Sequence, residues 1–125
     1  MKITGFNPLI NSPKAEDIVK LLEELGFEQR HQKNDINQDN ISAFDMKHPD
    51  GFRCTVAKVP QLPQDMTSLR MTVDNFDEAY EILSKHGFVN GQGGKITDTG
   101  TSKATLMVSP SGFSIGLSQH IKDKD

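Results

Sequence analysis

The chain has 125 residues, 34% of them hydrophobic and 25% charged, which suits one domain with a modest core. A formal net charge of −3 with no basic block argues against a protein held to nucleic acid by phosphate contacts. The lone cysteine, Cys54, excludes an internal disulfide and a Cys–Cys metal knuckle, and no run approaches the ~20 apolar residues of a membrane span. With no signal-peptide pattern at the start, the expectation is a soluble cytoplasmic protein with no membrane partner.

In chain order, Ile3 to Ile10 reads as a strand. Ser12 offers an N-cap oxygen and Pro13 suits the first helical position. Ile18, Leu21, Leu22 and Leu25 follow at helical spacing, and Gly26 can close the helix in the left-handed conformation. Three strands are predicted next, Phe27 to Gln32, Ile41 to Lys47 and Phe52 to Lys58. Asn34 to Asn40 is a polar loop, and His48-Pro49-Asp50-Gly51 is a tight turn. Val59 to Thr67, with Pro60 and Pro63, reads as a linker.

The same order then repeats. Leu69, Met71 and Val73 alternate with polar residues as a strand. Asn75 with Glu78 forms a capping box, and Phe76, Ala79, Tyr80 and Leu83 form a helical stripe ended by Gly87. Strands are predicted at Phe88 to Asn90 extending toward Ile96, at Lys103 to Val108 and at Phe113 to Gln119, with the turn Ser109-Pro110-Ser111-Gly112 before the last. Lys122 to Asp125 is a frayed tail. Gly26-Phe27 and Gly87-Phe88 stand 61 apart (87 − 26), as do Pro49-x-Gly51-Phe52 and Pro110-x-Gly112-Phe113 (110 − 49). The reading is one domain over 1–125: module one at 1–58, a linker at 59–67 and module two at 68–121.

Period-two alternation separates two faces of each predicted sheet. Phe6, Pro8 and Ile10, Phe52, Cys54 and Val56, Leu69, Met71 and Val73, and Phe113, Ile115 and Leu117 point toward the helices. The opposite face carries Asn7, Arg53, Thr55, Ser68, Arg70, Thr72, Ser114 and Ser118. That face is either solvated surface or the lining of a cavity. In the cavity reading the two arginines select an anionic or oxygen-rich ligand, because guanidinium stays charged and binds carboxylate or phosphate bidentately.

Two βαβββ units, Gly-Phe after each helix and Pro-x-Gly before each final strand resemble the vicinal oxygen chelate superfamily of glyoxalases, extradiol dioxygenases and bleomycin-resistance proteins. Val73 to Tyr80, Gly87-Phe88 and Ser109 to Phe113 carry the likeness best. The resemblance implies an α+β fold: two tandem βαβββ modules forming a curved, partly closed mixed sheet around a cavity, with helices outside. It implies a homodimer, and metal ligands on the first and last strand of each module. Those positions fall at Asn7 (or Gly5 if the first helix is longer), Thr55, Ser68 and Gly116. None is a histidine or carboxylate, so the expectation is no metal, no cofactor and no catalytic residue.

His48 reads as a turn residue or a displaced ligand at a cavity rim. His86 suits a helix C-terminus, and His31 and His120 lie near strand ends. Cys54 reads as a buried hydrophobe. Gly91-Gln92-Gly93-Gly94 is a flexible loop and a candidate flap over the cavity. Three functions stay open: a metal-independent small-molecule-binding protein, an enzyme of the superfamily with non-standard ligands, and a non-catalytic regulatory module.

Overall fold

The computed structural model describes residues 1–36 and 41–120, with the backbone alone given for 31–36 and 41–42. The elements are β1 (Ile3–Ser12), α1 (Ala15–Glu24), β2 (Glu28–Ile36), β3 (Ile41–Lys47), β4 (Arg53–Lys58), β5 (Met66–Val73), α2 (Phe76–Lys85), β6 (Val89–Asn90), β7 (Thr97–Asp98), β8 (Ser102–Val108) and β9 (Ser114–His120). The fold is α+β with mixed strand pairing. Its contacts form two units, Asn7–Thr67 and Met1–Phe6 with Ser68–Asp125. β1 and β5 each contribute residues to both.

In the first unit the strands run in the order β2-β3-β4-β1, with β1 parallel to β4 and the other pairs antiparallel. In the second the order is β5-β9-β8-β6, with β5 parallel to β9 and β7 also paired to β8. Residues 1–6 join this second unit at the start of α2: Asp74 N–H donates to Lys2 O, and Lys2 N–H to Asp74 Oδ1.

The repeat is written in hydrogen bonds. After α1, Phe27 N–H donates to Leu22 O and Gly26 N–H to Glu23 O; after α2, Phe88 N–H donates to Leu83 O and Gly87 N–H to Ser84 O. Both are Schellman closures, and Gly26 and Gly87 supply the positive φ they need, 103° and 89°. In each hairpin Gly51 or Gly112 donates back to His48 O or Ser109 O. The offset reaches the first strands as well. Leu9 pairs with Thr55 as Arg70 pairs with Gly116, and 70 − 9 equals 116 − 55. Asn7, not Gly5, is therefore the register mate of Ser68.

Each unit has its own core. In the first, Ala15, Val19 and Leu22 of α1 pack with Phe44, Met46, Cys54 and Val56. In the second, Phe76 and Ala79 of α2 pack with Met71, Val73, Met107, Ile115 and Leu117. The α2 stripe is as predicted, and Asn75 Oδ1 accepts from Glu78 N–H at the cap. The α1 stripe is rotated from the prediction. Ala15, Val19 and Leu22 (i, i+4, i+7) face the sheet, while Leu21 and Leu25 are exposed. Leu21 lies about 100° round the helix from Leu22, so one face cannot bury both.

The start of α1 also differs. The helix begins at Ala15, its N-cap is Lys14 without a side-chain bond, and Pro13 lies in the preceding turn. Ser12 ends β1 instead, its hydroxyl accepting from Lys14 N–H and donating to Asp65 Oδ1 at 2.6 Å. That bond and Asn11 Nδ2 to Met66 O bring β5 in two residues before the predicted linker ends. Four aromatic and proline positions assigned to the helix-facing side, Phe6, Pro8, Phe52 and Phe113, are exposed. A ten-residue helix is only about 15 Å long and covers the middle of its strands, not their ends. Residues 37–40 of the polar loop and the tail 122–125 lie outside the described residues, and β2 continues through Ile36.

Candidate functional site

The side of the first unit's sheet away from α1 follows from the core. Phe44, Met46, Cys54 and Val56 point at the helix, so Ala43, Asp45 and Lys47 of β3 share the opposite face with Arg53, Thr55 and Ala57 of β4. Cross-strand partners on this face are Lys47 with Arg53, Asp45 with Thr55, and Ala43 with Ala57. A directed chain of hydrogen bonds crosses it. Asn7 Nδ2 donates to Thr55 Oγ1 at 3.0 Å, and Thr55 Oγ1 donates to Asp45 Oδ1 at 3.1 Å.

In the second unit the face away from α2 carries Ser68, Arg70 and Thr72 on β5 and Ser114, Gly116 and Ser118 on β9. Two hydroxyl pairs link these strands, Ser68 with Ser114 at 2.5 Å and Thr72 with Ser118 at 3.2 Å. Half-buried Arg70 sits between them opposite Gly116, which has no side chain to crowd the guanidinium. Gly5 packs against this row: a Cβ there would stand 3.3 Å from Thr72.

All eight residues predicted from sequence thus lie on the helix-distal faces, three in one unit and five in the other. Six of them join in the hydrogen-bonded pairs just described. Arg53 is exposed at the start of β4 and makes no hydrogen bond or ion pair among the described residues. Asp45, which accepts from Thr55, and its face neighbour Lys47 are not among the residues predicted from the sequence. The alternation of Phe44 and Met46 with Asp45 and Lys47 carries that signal in β3, a middle strand of the module.

These faces are not ordinary wet surface. Thr55 is 4% exposed and Ser68 7%, and Ala57 is also buried. The ligand positions implied by the resemblance hold an amide, two hydroxyls and a bare backbone. Asn7 donates to Thr55 Oγ1 and Pro8 O, Thr55 donates to Asp45, and Ser68 pairs with Ser114. That donor set does not fit a divalent metal, which takes imidazole, carboxylate or thiolate. Among the described residues no three His, Cys, Asp or Glu side chains stand together as a metal site.

The remaining candidates are structural. His48 packs its ring against Phe27 and Phe52, with centroids 5.3 and 5.8 Å away, and its Nδ1 accepts from Asp50 N–H. A Cβ on Gly26 would meet its Nε2 at 3.0 Å, so the imidazole is wedged against the end of α1. Cys54 is buried, and loss of solvation pushes its thiol pKa up. His86 is the exposed C-cap of α2 and His120 ends β9; the His31 side chain lies outside the described residues. The glycine loop is held along β8, where Gly91 N–H donates to Leu106 O and a Cβ on Gly91 would stand 2.8 Å from Val108 on the helix-distal side. Thr105, on the helix side of β8 opposite Leu117, donates to Lys95 O at 2.7 Å, and Asn90 Nδ2 donates to the same carbonyl and to Tyr80 Oη of α2. These bonds hold Lys95 on the α2 side, while Gly91 lies beside Leu106 and Val108 on the other.

No protein-family model and no curated protein matches the sequence. Solved structures do. The chain is similar to a methylmalonyl-CoA epimerase at 17% identity and TM-score 0.65, covering 93% of this chain and 94% of that one. It is similar to a glyoxalase/bleomycin resistance protein/dioxygenase superfamily member from Vibrio splendidus 12B01 at 11% and 0.59, covering 94% and 99%. The fold is that of the vicinal oxygen chelate superfamily. The likeness extends to glyoxalase I from Zea mays, at 11% identity and TM-score 0.69 over 98% of this chain; the chain spans 45% of that enzyme's length. Identities this low carry the fold and not the activity. No helix among the described residues is long and apolar enough to cross a membrane.

Proposed function

We propose that this chain is a metal-independent small-molecule-binding protein of the glyoxalase/bleomycin-resistance type, acting in the cytoplasm as a homodimer. The helix-distal faces bearing Asn7, Arg53, Thr55, Ser68, Arg70, Thr72, Ser114 and Ser118 take an anionic or oxygen-rich ligand. The observation that carries this reading is the burial of Thr55 and Ser68 on faces made of hydroxyls, amide and arginine rather than of core side chains. A few placed polar groups in a shielded setting suit small-molecule recognition. Neutral residues at the four implied metal positions favour binding without a metal.

Native mass spectrometry of the isolated protein, before and after EDTA treatment, tests this. A bound small molecule retained after EDTA and lost in Arg70→Ala supports the proposal. Stoichiometric uptake of Zn²⁺ or Ni²⁺, with binding that disappears on chelation, overturns it. Sedimentation of the same sample checks the dimer.

A second reading has one observation behind it. Asp45 is a carboxylate on the polar face, oriented by the Thr55 hydroxyl, and a positioned carboxylate can accept a proton from a bound substrate. Solvent-deuterium exchange into a bound hydroxy or keto acid, abolished by Asp45→Asn, would mark an enzyme rather than a carrier.

A further inference from the structure

The first unit's polar face places two cations directly across from each other, Lys47 on β3 and Arg53 on β4. Like charges at opposed positions destabilise a sheet. Neither side chain has a hydrogen bond or ion pair among the described residues. Glu28 of β2 stands opposite Lys47 in the register but is exposed and makes no such pair. One step further along the same face is the Asn7–Thr55–Asp45 chain. Its polarity is set. The Asn7 amide donates to Thr55, Thr55 has a single proton and gives it to Asp45, and the chain ends in a carboxylate that can only accept. A carboxylate has about four acceptor sites, and the Thr55 hydroxyl donates to Asp45 Oδ1. Beyond it come Ala43 and Ala57, which are small and uncharged.

We infer that Lys47 and Arg53 with the Asn7–Thr55–Asp45 chain form one site for a small hydroxylated anion. Its carboxylate or phosphate is held between the two cations, and its hydroxyl donates to Asp45. The inference rests on the binding function proposed above and specifies its ligand class. Successive same-face positions are about 7 Å apart along the strand, and the long Lys47 and Arg53 side chains can reach part of that way toward Asp45. Solvent exposure grades in the same direction. Arg53 is exposed, Lys47 and Asp45 are half-buried, and Thr55 is buried. The charged end of the ligand therefore sits at the rim.

The test is an amide-detected NMR titration of the whole chain with four probes: glycerol 3-phosphate, glycerate, inorganic phosphate and glycerol. The site predicts shifts in β3 and β4 with at least one of the two hydroxylated anions. Inorganic phosphate should bind about tenfold or more weakly, as loss of a hydrogen bond to a charged group implies, and glycerol not at all. Preference for glycerol 3-phosphate or for glycerate identifies the anion as phosphate or carboxylate. The double variant Lys47→Ala, Arg53→Ala should lose about tenfold or more in affinity for every anionic probe. Asp45→Asn should weaken the hydroxylated anion about tenfold and leave inorganic phosphate unchanged. Unchanged thermal midpoints verify that the variants stay folded. Equal affinity for phosphate and glycerol 3-phosphate, or affinity indifferent to either variant, overturns the inference. Should the probes instead shift Ser68, Arg70 and Ser114 and depend on Arg70 alone, the site assignment fails while the binding function stands. No shift on either face with any probe removes the inference, and a bound molecule seen by mass spectrometry would still uphold the function.

Discussion

The two units are nearly the same frame carrying different chemistry. With the offset of 61, Met46 answers to Met107, Val56 to Leu117 and Cys54 to Ile115, and all six are buried in the two cores. The helix-distal faces diverge. Lys47, Asp45, Arg53 and Thr55 answer to Val108, Leu106, Ser114 and Gly116, so one unit has charge where the other has apolar or small residues. Arginine appears in the second unit where the first has a hydrophobe, Arg70 answering to Leu9. Most positions that face a helix are held to apolar volume by packing, Thr105 at the place of Phe44 being an exception that bonds Lys95 O, whereas positions that face away are free to specialise. The duplicated frame thus says little about symmetric function.

The comparison yields predictions of decreasing size. Met46→Ala and Met107→Ala remove equivalent, almost fully buried side chains and should each cost about 2–5 kcal/mol. Urea denaturation of both checks this, and a cost under about 1 kcal/mol at one site would break the equivalence of the cores. Gly26→Ala and Gly87→Ala force a Cβ onto positive φ and toward His48 or Pro110, at 3.0 and 2.9 Å. Each should lose about 1–2 kcal/mol or more. A neutral result at Gly26 would show that the His48 ring moves aside.

The helix caps give a sharper contrast, since Asn75 and Lys14 occupy equivalent positions and only Asn75 makes a side-chain bond. Asn75→Ala should cost about 1 kcal/mol, while Lys14→Ala should fall within about 0.5 kcal/mol of the parent. The smallest effect is at the surface pair of Lys58 with Glu16, 2.9 Å apart. The Lys58 hydrogen bond holds the Glu16 pKa below its usual value. A depressed carboxyl adds stability above its unfolded pKa and loses it as pH falls through the folded value. Lys58→Met should therefore cost under about 0.5 kcal/mol at neutral pH, for an exposed pair. The difference from the parent should vanish below the folded pKa of Glu16, as thermal melts between pH 7 and pH 3 would report.

Much of the fold is legible in the sequence. The helix-closing glycines, the Pro-x-Gly turns, the Asn75 cap and the alternation in β4, β5 and β9 are short-range signals, and each was matched. The misreadings share a cause. Leu21 and Leu25 scored as a stripe because helical spacing admits several faces, and only contact with a sheet selects among them. Ser12 looked like a cap because its chemistry suits one; the structure uses its hydroxyl to hold Asp65, 53 residues on. Asp45 was passed over because its importance depends on a neighbour, Thr55, in the adjacent strand.

The repeat, its register and the residues that stand away from the helices follow from neighbours close together in the chain, which set turns, caps and period-two alternation. Which face of α1 is buried, and that Asn7, Thr55 and Asp45 form one directed chain, emerges only once the strands pair. Those outcomes depend on strand pairing across tens of residues, where packing and hydrogen-bond satisfaction override local preference.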